Sequence, residues 1–246
     1  MQEKRFLSTS FQVSHYTLRM WLGLLGVTLP LILWAGAWAL GEPTLAPSIS
    51  HYYYSTMTVY FTGVLCAFGL YLFAYRGYKK KNDEYVSDNL MTNIGGALAI
   101  LTAFFPTTCC DNTYCGFQCN AANAQPIDSW VTTMHFVCAG GFLIIMGGTS
   151  IFKFTRINTD KRYKRQKKIA FVWCGVIVWL CILFLVFDMF ILDEPLGYHD
   201  TFWAETVALI AFGASWLIKS EEIDPIMAFV VARLNGKSSK EILTAK

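Results

Sequence analysis

The sequence predicts an all-α polytopic membrane protein, a single bundle of six transmembrane helices with both termini in the cytoplasm. Two observations lead to this prediction. Hydrophobic residues make up 54% of the chain and charged residues only 15%, a balance too apolar for a soluble domain of 246 residues. All 20 Lys and Arg residues also fall on one side of the apolar segments, in alternate loops or at the segment ends that adjoin them, and basic loops stay on the cytoplasmic side of a membrane.

Six apolar stretches are long enough to cross the hydrocarbon core, which takes a helix of about 20 residues. They cover approximately 18–40, 56–76, 89–107, 130–152, 169–192 and 201–218. Each is expected to be helical because backbone amides and carbonyls in lipid have no water to bind. The whole chain, 1–246, is therefore predicted to form one membrane domain, with a cysteine-rich outer loop at 108–129 and a cytoplasmic interfacial tail at 219–246.

The charge distribution predicts where the protein lies and what surrounds it. The cytoplasmic segments hold all 20 basic residues against nine acidic ones, and such a surface attracts anionic lipid head groups. We expect membrane lipids as partners and no nucleic acid, while the oligomeric state stays open. Within these segments, Asp88 is expected to cap the third helix, and the basic stretch 153–168 is expected to face lipid.

Four of the eight cysteines cluster in the predicted outer loop: Cys109, Cys110, Cys115 and Cys119. An outer loop faces an oxidising space, which favours two disulfides whose pairing the sequence leaves open. Zinc is the alternative, but this spacing lacks the paired C-x2-C knuckles of a closed structural zinc site.

Three ionisable side chains on three predicted helices share one layer of the outer leaflet: His135, Asp188 and Glu205. At ~1.5 Å per residue, Glu205 lies roughly 7 Å below the surface. A carboxylate at that depth costs a few kcal/mol if it faces lipid, so we expect Glu205 to turn inward toward His135, or next toward Asp188. If the protein is an enzyme, Glu205 and His135 are the candidate catalytic residues; otherwise they lock the bundle.

Polar side chains surround the same predicted mouth and are the candidates for ligand binding. They are Ser48, Ser50, His51, Tyr52, Tyr53, Asp188, His199 and Asp200. Such a lip could bind a polar head group, a cation or a metal. A zinc ion would need three or four ligands at ~2.0–2.2 Å, and His51, His135 and His199 are the candidates by residue type. No two histidines have a spacing that places them on one helical face.

Three stretches resemble a family of uncharacterised bacterial six-helix integral membrane proteins. They are 48–78, which begins SISHYYYSTM; 97–107, ALAILTAFFPT; and 205–221, ETVALIAFGASWLIKSE. The resemblance implies the six-helix topology and the bacterial inner membrane, but no activity. A more distant likeness is to the membrane hydrolases that include alkaline ceramidases and adiponectin-receptor-like proteins. Those carry Ser, Asp and three His in a helical bundle, but with seven helices and a His-x3-His pair that this chain lacks.

We therefore expect a multi-pass inner-membrane protein whose outward-facing polar pocket binds a lipid head group or a small amphiphile. Two alternatives stay open. One is a membrane-embedded, metal-dependent hydrolase of lipids, with zinc as the possible cofactor and Glu205 activating water. The other is a proton-coupled transporter in which Glu205 takes and releases the proton.

Overall fold

The computed structural model describes residues 15–42, 44–77, 86–108, 129–156, 164–190 and 199–220, and every regular element in these ranges is helical. The six α helices are α1 (His15–Ala39), α2 (Thr58–Ala74), α3 (Asp88–Phe104), α4 (Ser129–Gly148), α5 (Lys164–Phe190) and α6 (Asp200–Ser220). A 3₁₀ helix at Ile49–Tyr54 precedes α2, and a π helix at Thr149–Phe154 prolongs α4. The all-α prediction is confirmed for this part of the chain.

Four of the helices in the described residues are long and apolar enough to cross a membrane, as expected for a membrane protein. These segments are Thr17–Ala39, Trp130–Phe154, Lys164–Met189 and Asp200–Ser220. Helix α2 is apolar but only 17 residues long, and α3 has the same length. The count of six spans and the orientation of the termini stay predictions.

The α helices form a closed ring in which each packs against the next along the chain and α6 packs against α1. Aromatic side chains fill the centre: the Phe212 ring lies 5.4 Å from Phe68 and 5.5 Å from Phe142. The outer surface is also apolar, as at Trp173, which is 62% exposed, and Leu183, which is 63% exposed. Helices that are apolar on both faces are typical of a bundle surrounded by lipid.

Three helix pairs touch backbone to backbone at pairs of glycines. They are Gly23 with Gly213 (α1 and α6), Gly69 with Gly96 (α2 and α3), and Gly147 with Gly175 (α4 and α5). A Cβ built on Gly213 would lie 2.6 Å from the Gly23 carbonyl oxygen, and one on Gly69 would lie 2.7 Å from the Gly96 oxygen. Only residues without a side chain allow helix backbones to approach so closely.

The glycine contacts lie at the middle of the bundle or toward the end where α1, α3 and α5 begin. A buried ion cluster closes that same end. Ser87 caps α3 by accepting from the Leu90 amide, while Asp88 lies 3.5 Å from both Lys153 Nζ and Arg156 Nη2. Ser87 is therefore the cap in place of Asp88. Within the basic stretch 153–168, Lys153 is 5% exposed because it pairs with Asp88 instead of facing lipid, whereas Arg165 and Lys168 are exposed and residues 157–163 lie outside the described residues.

The predicted disulfides lie outside the described residues, as does the tail beyond Ser220. The cysteines of the outer loop, Cys109, Cys110, Cys115 and Cys119, therefore keep their predicted roles without a structural test. The helical cysteines Cys66, Cys138, Cys174 and Cys181 are free thiols.

Replacing Gly213 by Ala is expected to lower the melting temperature of the detergent-purified protein. The new Cβ would lie 2.6 Å from the Gly23 carbonyl oxygen, so the backbones of α1 and α6 must separate. Overpacking of this kind costs about 1–3 kcal/mol. Gly63→Ala is the matched control, because a Cβ there meets no atom within 4 Å. Equal melting temperatures for the two variants would contradict the close contact.

Candidate functional site

The 3₁₀ helix lies at the end of the ring where α2, α4 and α6 begin, and it packs against α1, α2 and α6. Ser48 caps it: the Ser48 hydroxyl oxygen accepts from the His51 amide at 3.3 Å and lies 2.6 Å from His51 Nδ1. At the other end, the Tyr54 hydroxyl donates to the Thr107 carbonyl at 2.5 Å. Tyr52 between them is fully buried. The segment is therefore an internal part of the bundle.

Glu205 of α6 binds the beginning of the 3₁₀ helix. The Ile49 amide donates to Glu205 Oε2 at 2.6 Å. The first amides of any helix have no acceptor within the helix itself. Inside an apolar bundle an amide left without an acceptor costs several kcal/mol. Glu205 supplies the acceptor that water supplies at a protein surface.

His135 of α4 joins the 3₁₀ helix to the end of α3. Its Nδ1 lies 2.6 Å from the Phe105 carbonyl oxygen, and its Nε2 lies 2.9 Å from the Ser50 hydroxyl. A carbonyl oxygen only accepts, so Nδ1 carries the hydrogen and donates it. In the neutral ring Nε2 is then the acceptor, and the Ser50 hydroxyl donates to it.

Glu205 and His135 therefore bind neighbouring residues of the 3₁₀ helix instead of binding each other. The direct contact between the two side chains that the sequence suggested is wrong. The rotation of α4 and α6 about their axes directs the His135 and Glu205 side chains toward Ser50 and Ile49. Because a uniformly apolar helix has no hydrophobic periodicity, this rotation could not be predicted from the sequence.

A cavity of about 500 Å³ lies beside this polar network, between α4, α5 and α6. Its wall is mainly apolar, with polar side chains from Thr133, His135, Asp188, Thr201 and Glu205. Two wall residues, Val137 and Val186, are 57% and 47% exposed. Because these residues belong to α4 and α5, the cavity reaches the outer surface between those two helices.

A second, smaller cavity of about 50 Å³ lies on the other side of Glu205. Ser50 and Thr102 line it, and it shares Ala139, Leu143 and Glu205 with the larger cavity. The Glu205 side chain thus lies at the boundary between the two cavities.

The remaining candidates from the sequence lie around this centre. Asp188 is brought to the same cavity as His135 and Glu205, as the shared layer predicted. Tyr53 packs its ring against Tyr54 at 5.1 Å. His199 and Asp200 lie at the beginning of α6 and are absent from the part of the cavity wall that the structure describes.

The predicted zinc ligands do not assemble. His51, His135 and His199 all belong to the described residues, and within those residues no three His, Cys, Asp or Glu side chains come together to hold a metal ion. Both ring nitrogens of His135 are also engaged, by Phe105 and Ser50. The donor geometry therefore does not fit zinc at this position.

Comparison of the chain with protein-family models, with curated proteins and with solved structures gave no match. The function has to be argued from the site itself.

Sequence reasoning missed the backbone groups of the site and two of its hydroxyls. The Ile49 amide and the Phe105 carbonyl carry no signal in the residue type. Thr201 could have been found, because it lies four residues before Glu205 and therefore on the same face of α6. Thr133 precedes His135 by two residues, a spacing that carries no such signal.

His51 makes folding stability depend on pH. Burial, with His135 nearby, lowers the pKa of His51 from 6.5 to about 4. The unfolded chain binds this proton below about pH 6.5, whereas the folded chain does so only near pH 4. The stabilisation from neutral His51 is therefore present above pH 6.5 and is lost as the pH falls toward 4.

Replacing His51 by Gln is expected to flatten the fall of the melting temperature between pH 6.5 and pH 4. The difference in unfolding free energy between wild type and His51→Gln should change by up to about 3 kcal/mol between pH 6.5 and pH 4. If the melting temperatures of wild type and His51→Gln fall equally with pH, His51 has the same pKa in the folded and unfolded states, which would contradict the prediction.

Proposed function

We propose that all six α helices span the bacterial inner membrane and that both termini lie in the cytoplasm. The Lys and Arg residues support this orientation. Along the sequence, all 20 lie before or early in α1, between α2 and α3, from the π helix to the first turns of α5, or from the last turn of α6 onward. The ion cluster of Asp88, Lys153 and Arg156 lies at the end where α1, α3 and α5 begin. The 3₁₀ helix and Glu205 lie at the opposite end, which this orientation turns outward.

Reporter fusions test the orientation. Alkaline phosphatase, which folds only in the periplasm, is expected to be active when inserted after residue 120 and inactive when fused after residue 246. A green fluorescent protein, which needs the cytoplasm, should give the reverse pattern. Phosphatase activity at residue 246 would reverse the proposed topology.

We propose that the protein binds a lipid or a similar amphiphile in the cavity between α4, α5 and α6. The observation that carries this proposal is the side opening between α4 and α5, because it faces the region that acyl chains occupy. The volume of about 500 Å³ falls in the usual range of ligand pockets. A mainly apolar wall with a few polar groups matches a molecule with a long chain and a small head.

The polar groups of the wall lie near one end of the cavity. Thr133 and His135 belong to the first turns of α4, Thr201 and Glu205 to the first turns of α6, and Asp188 to the last turn of α5. Apolar residues such as Leu143 line the wall deeper in the bundle. The head group would therefore lie near the outer surface, with the chain directed toward the bilayer centre.

The charges on the wall favour a head group that is neutral or cationic. Asp188 and Glu205 line the cavity, and the part of its wall that the structure describes contains no Lys or Arg. An anionic head group would meet the carboxylates of Asp188 and Glu205, and this repulsion is unfavourable at low dielectric constant. The transporter hypothesis, with Glu205 as proton carrier, stays a prediction that no further observation favours.

Replacing Gly140 by Phe is expected to block binding without unfolding the protein. Gly140 lines the cavity, and a Cβ there meets no atom within 4 Å, so the ring enters empty space. Gly63→Phe is the control, because its Cβ also meets no atom within 4 Å while Gly63 is not part of the cavity wall.

The measurement is the affinity for a 1-O-alkylglycerol with a fluorescent tail, a neutral and non-hydrolysable amphiphile, in detergent micelles. We expect at least about tenfold weaker binding by Gly140→Phe and wild-type affinity for Gly63→Phe, since 1.4 kcal/mol already changes affinity tenfold. Equal affinities for the two variants would place the ligand elsewhere.

A further inference from the structure

We infer that Ser50 and His135 form a nucleophile–base pair that hydrolyses a carboxylic ester of the amphiphile bound in the cavity. The inference rests on the proposed binding function and adds a chemical step to it. No metal ion takes part in this step, which separates it from the zinc hydrolase that the sequence suggested.

The first argument is the geometry of the pair. The Ser50 hydroxyl lies 2.9 Å from His135 Nε2, within the reach of a hydrogen bond. The Phe105 carbonyl fixes the tautomer, so that Nε2 offers a lone pair to the Ser50 proton. A nucleophile, a base within hydrogen-bond distance and a third group that orients the base are the general signature of an activated serine.

The second argument concerns the group that orients His135. His135 Nδ1 donates to the Phe105 carbonyl, and Phe105 is the C-cap residue of α3. The last carbonyls of a helix carry partial negative charge. They would stabilise the imidazolium that forms when His135 takes the Ser50 proton, which is the role of the carboxylate in a Ser-His-Asp triad.

The third argument is access. His135 lines the larger cavity and Ser50 lines the smaller one, and the two cavities adjoin at Ala139, Leu143 and Glu205. An amphiphile in the larger cavity would reach Ser50 by bringing its ester group, with the carbonyl carbon and the alcohol oxygen, past Glu205. The smaller cavity, about 50 Å³, is of a size to hold such a group or a few water molecules.

The reaction balances with water as the only co-reactant. Ser50 Oγ forms a bond to the ester carbonyl carbon while His135 Nε2 takes the hydroxyl proton. The bond between that carbon and the alcohol oxygen then breaks, and the leaving alcohol receives the proton from Nε2. Water attacks the resulting acyl-serine, gives one proton to Ser50 Oγ through His135, and releases the fatty acid. The substrate class is a long-chain ester of a neutral or cationic alcohol.

A fluorophosphonate with a long alkyl chain tests the inference on the full-length protein. We expect one adduct per chain by intact mass, with the modified peptide carrying it on Ser50. Ser50→Ala should abolish the adduct, and His135→Gln should slow its formation at least tenfold. Ser215→Ala is the control and should react like wild type, because this buried serine only donates to the Phe212 carbonyl of its own helix.

Hydrolysis and binding are measured on the same preparations. Wild type should release fatty acid from a monoacylglycerol, and Ser50→Ala should lose this activity while it still binds the 1-O-alkylglycerol. Binding by wild type without an adduct or hydrolysis would overturn the inference and leave the binding function in place. Failure of wild type to bind the 1-O-alkylglycerol would overturn both. Peptide mapping of the wild-type protein would also detect an adduct on a residue other than Ser50. Such an adduct would overturn the inference.

Discussion

The carboxylate of Glu205 makes it possible for a 3₁₀ helix to begin inside an apolar bundle. A 3₁₀ helix leaves its first amides without acceptors within the helix. The Ser48 hydroxyl accepts from the His51 amide, and the Ile49 amide needs another acceptor in these apolar surroundings. Glu205 accepts from Ile49 at 2.6 Å and in this way ties α6 to the segment between α1 and α2. With Ile49 fixed, the next residue, Ser50, is held within reach of His135 on α4. Glu205 thus fixes the first residue of the 3₁₀ helix, next to the residue that contacts His135.

The two ends of the bundle are built differently, and this difference creates the cavity. Toward the end where α1 begins, glycine pairs such as Gly23 and Gly213 bring helix backbones into contact, and Asp88 holds two cations in a buried cluster. At the other end the 3₁₀ helix occupies part of the ring, and the side of the ring formed by α4, α5 and α6 encloses about 500 Å³. Close packing at one end and a polar network at the other leave an amphiphilic space open to the side.

The positions of the helices could be predicted because long apolar stretches in a membrane must be helical. The first was expected at 18–40 and is found at His15–Ala39; the last was expected at 201–218 and is found at Asp200–Ser220. The fifth begins at Lys164, five residues earlier than expected, because hydropathy does not register a charged helical turn.

The contacts within the site could not be predicted in the same way. Tyr52 was expected on a polar lip but is fully buried, because the 3₁₀ helix lies inside the ring. Glu205 binds a backbone amide, and His135 binds a backbone carbonyl, so the residue types of their partners gave no indication. The sequence predicted that these ionisable side chains lie at a similar depth in the membrane. Their hydrogen-bond partners depend on the rotation of the helices, which the sequence does not indicate.

Hydrogen exchange in lipid nanodiscs tests the role of Glu205 most directly. The peptide containing Ile49 and Ser50 should exchange slowly in the wild-type protein, because the Ile49 amide donates to the Glu205 carboxylate. In Glu205→Ala the peptide should lose its protection from exchange, while peptides from α1 and α6 keep theirs. Glu205→Gln retains an acceptor oxygen, so this variant should lose less of the protection. Unchanged slow exchange of Ile49 and Ser50 in Glu205→Ala would contradict the account.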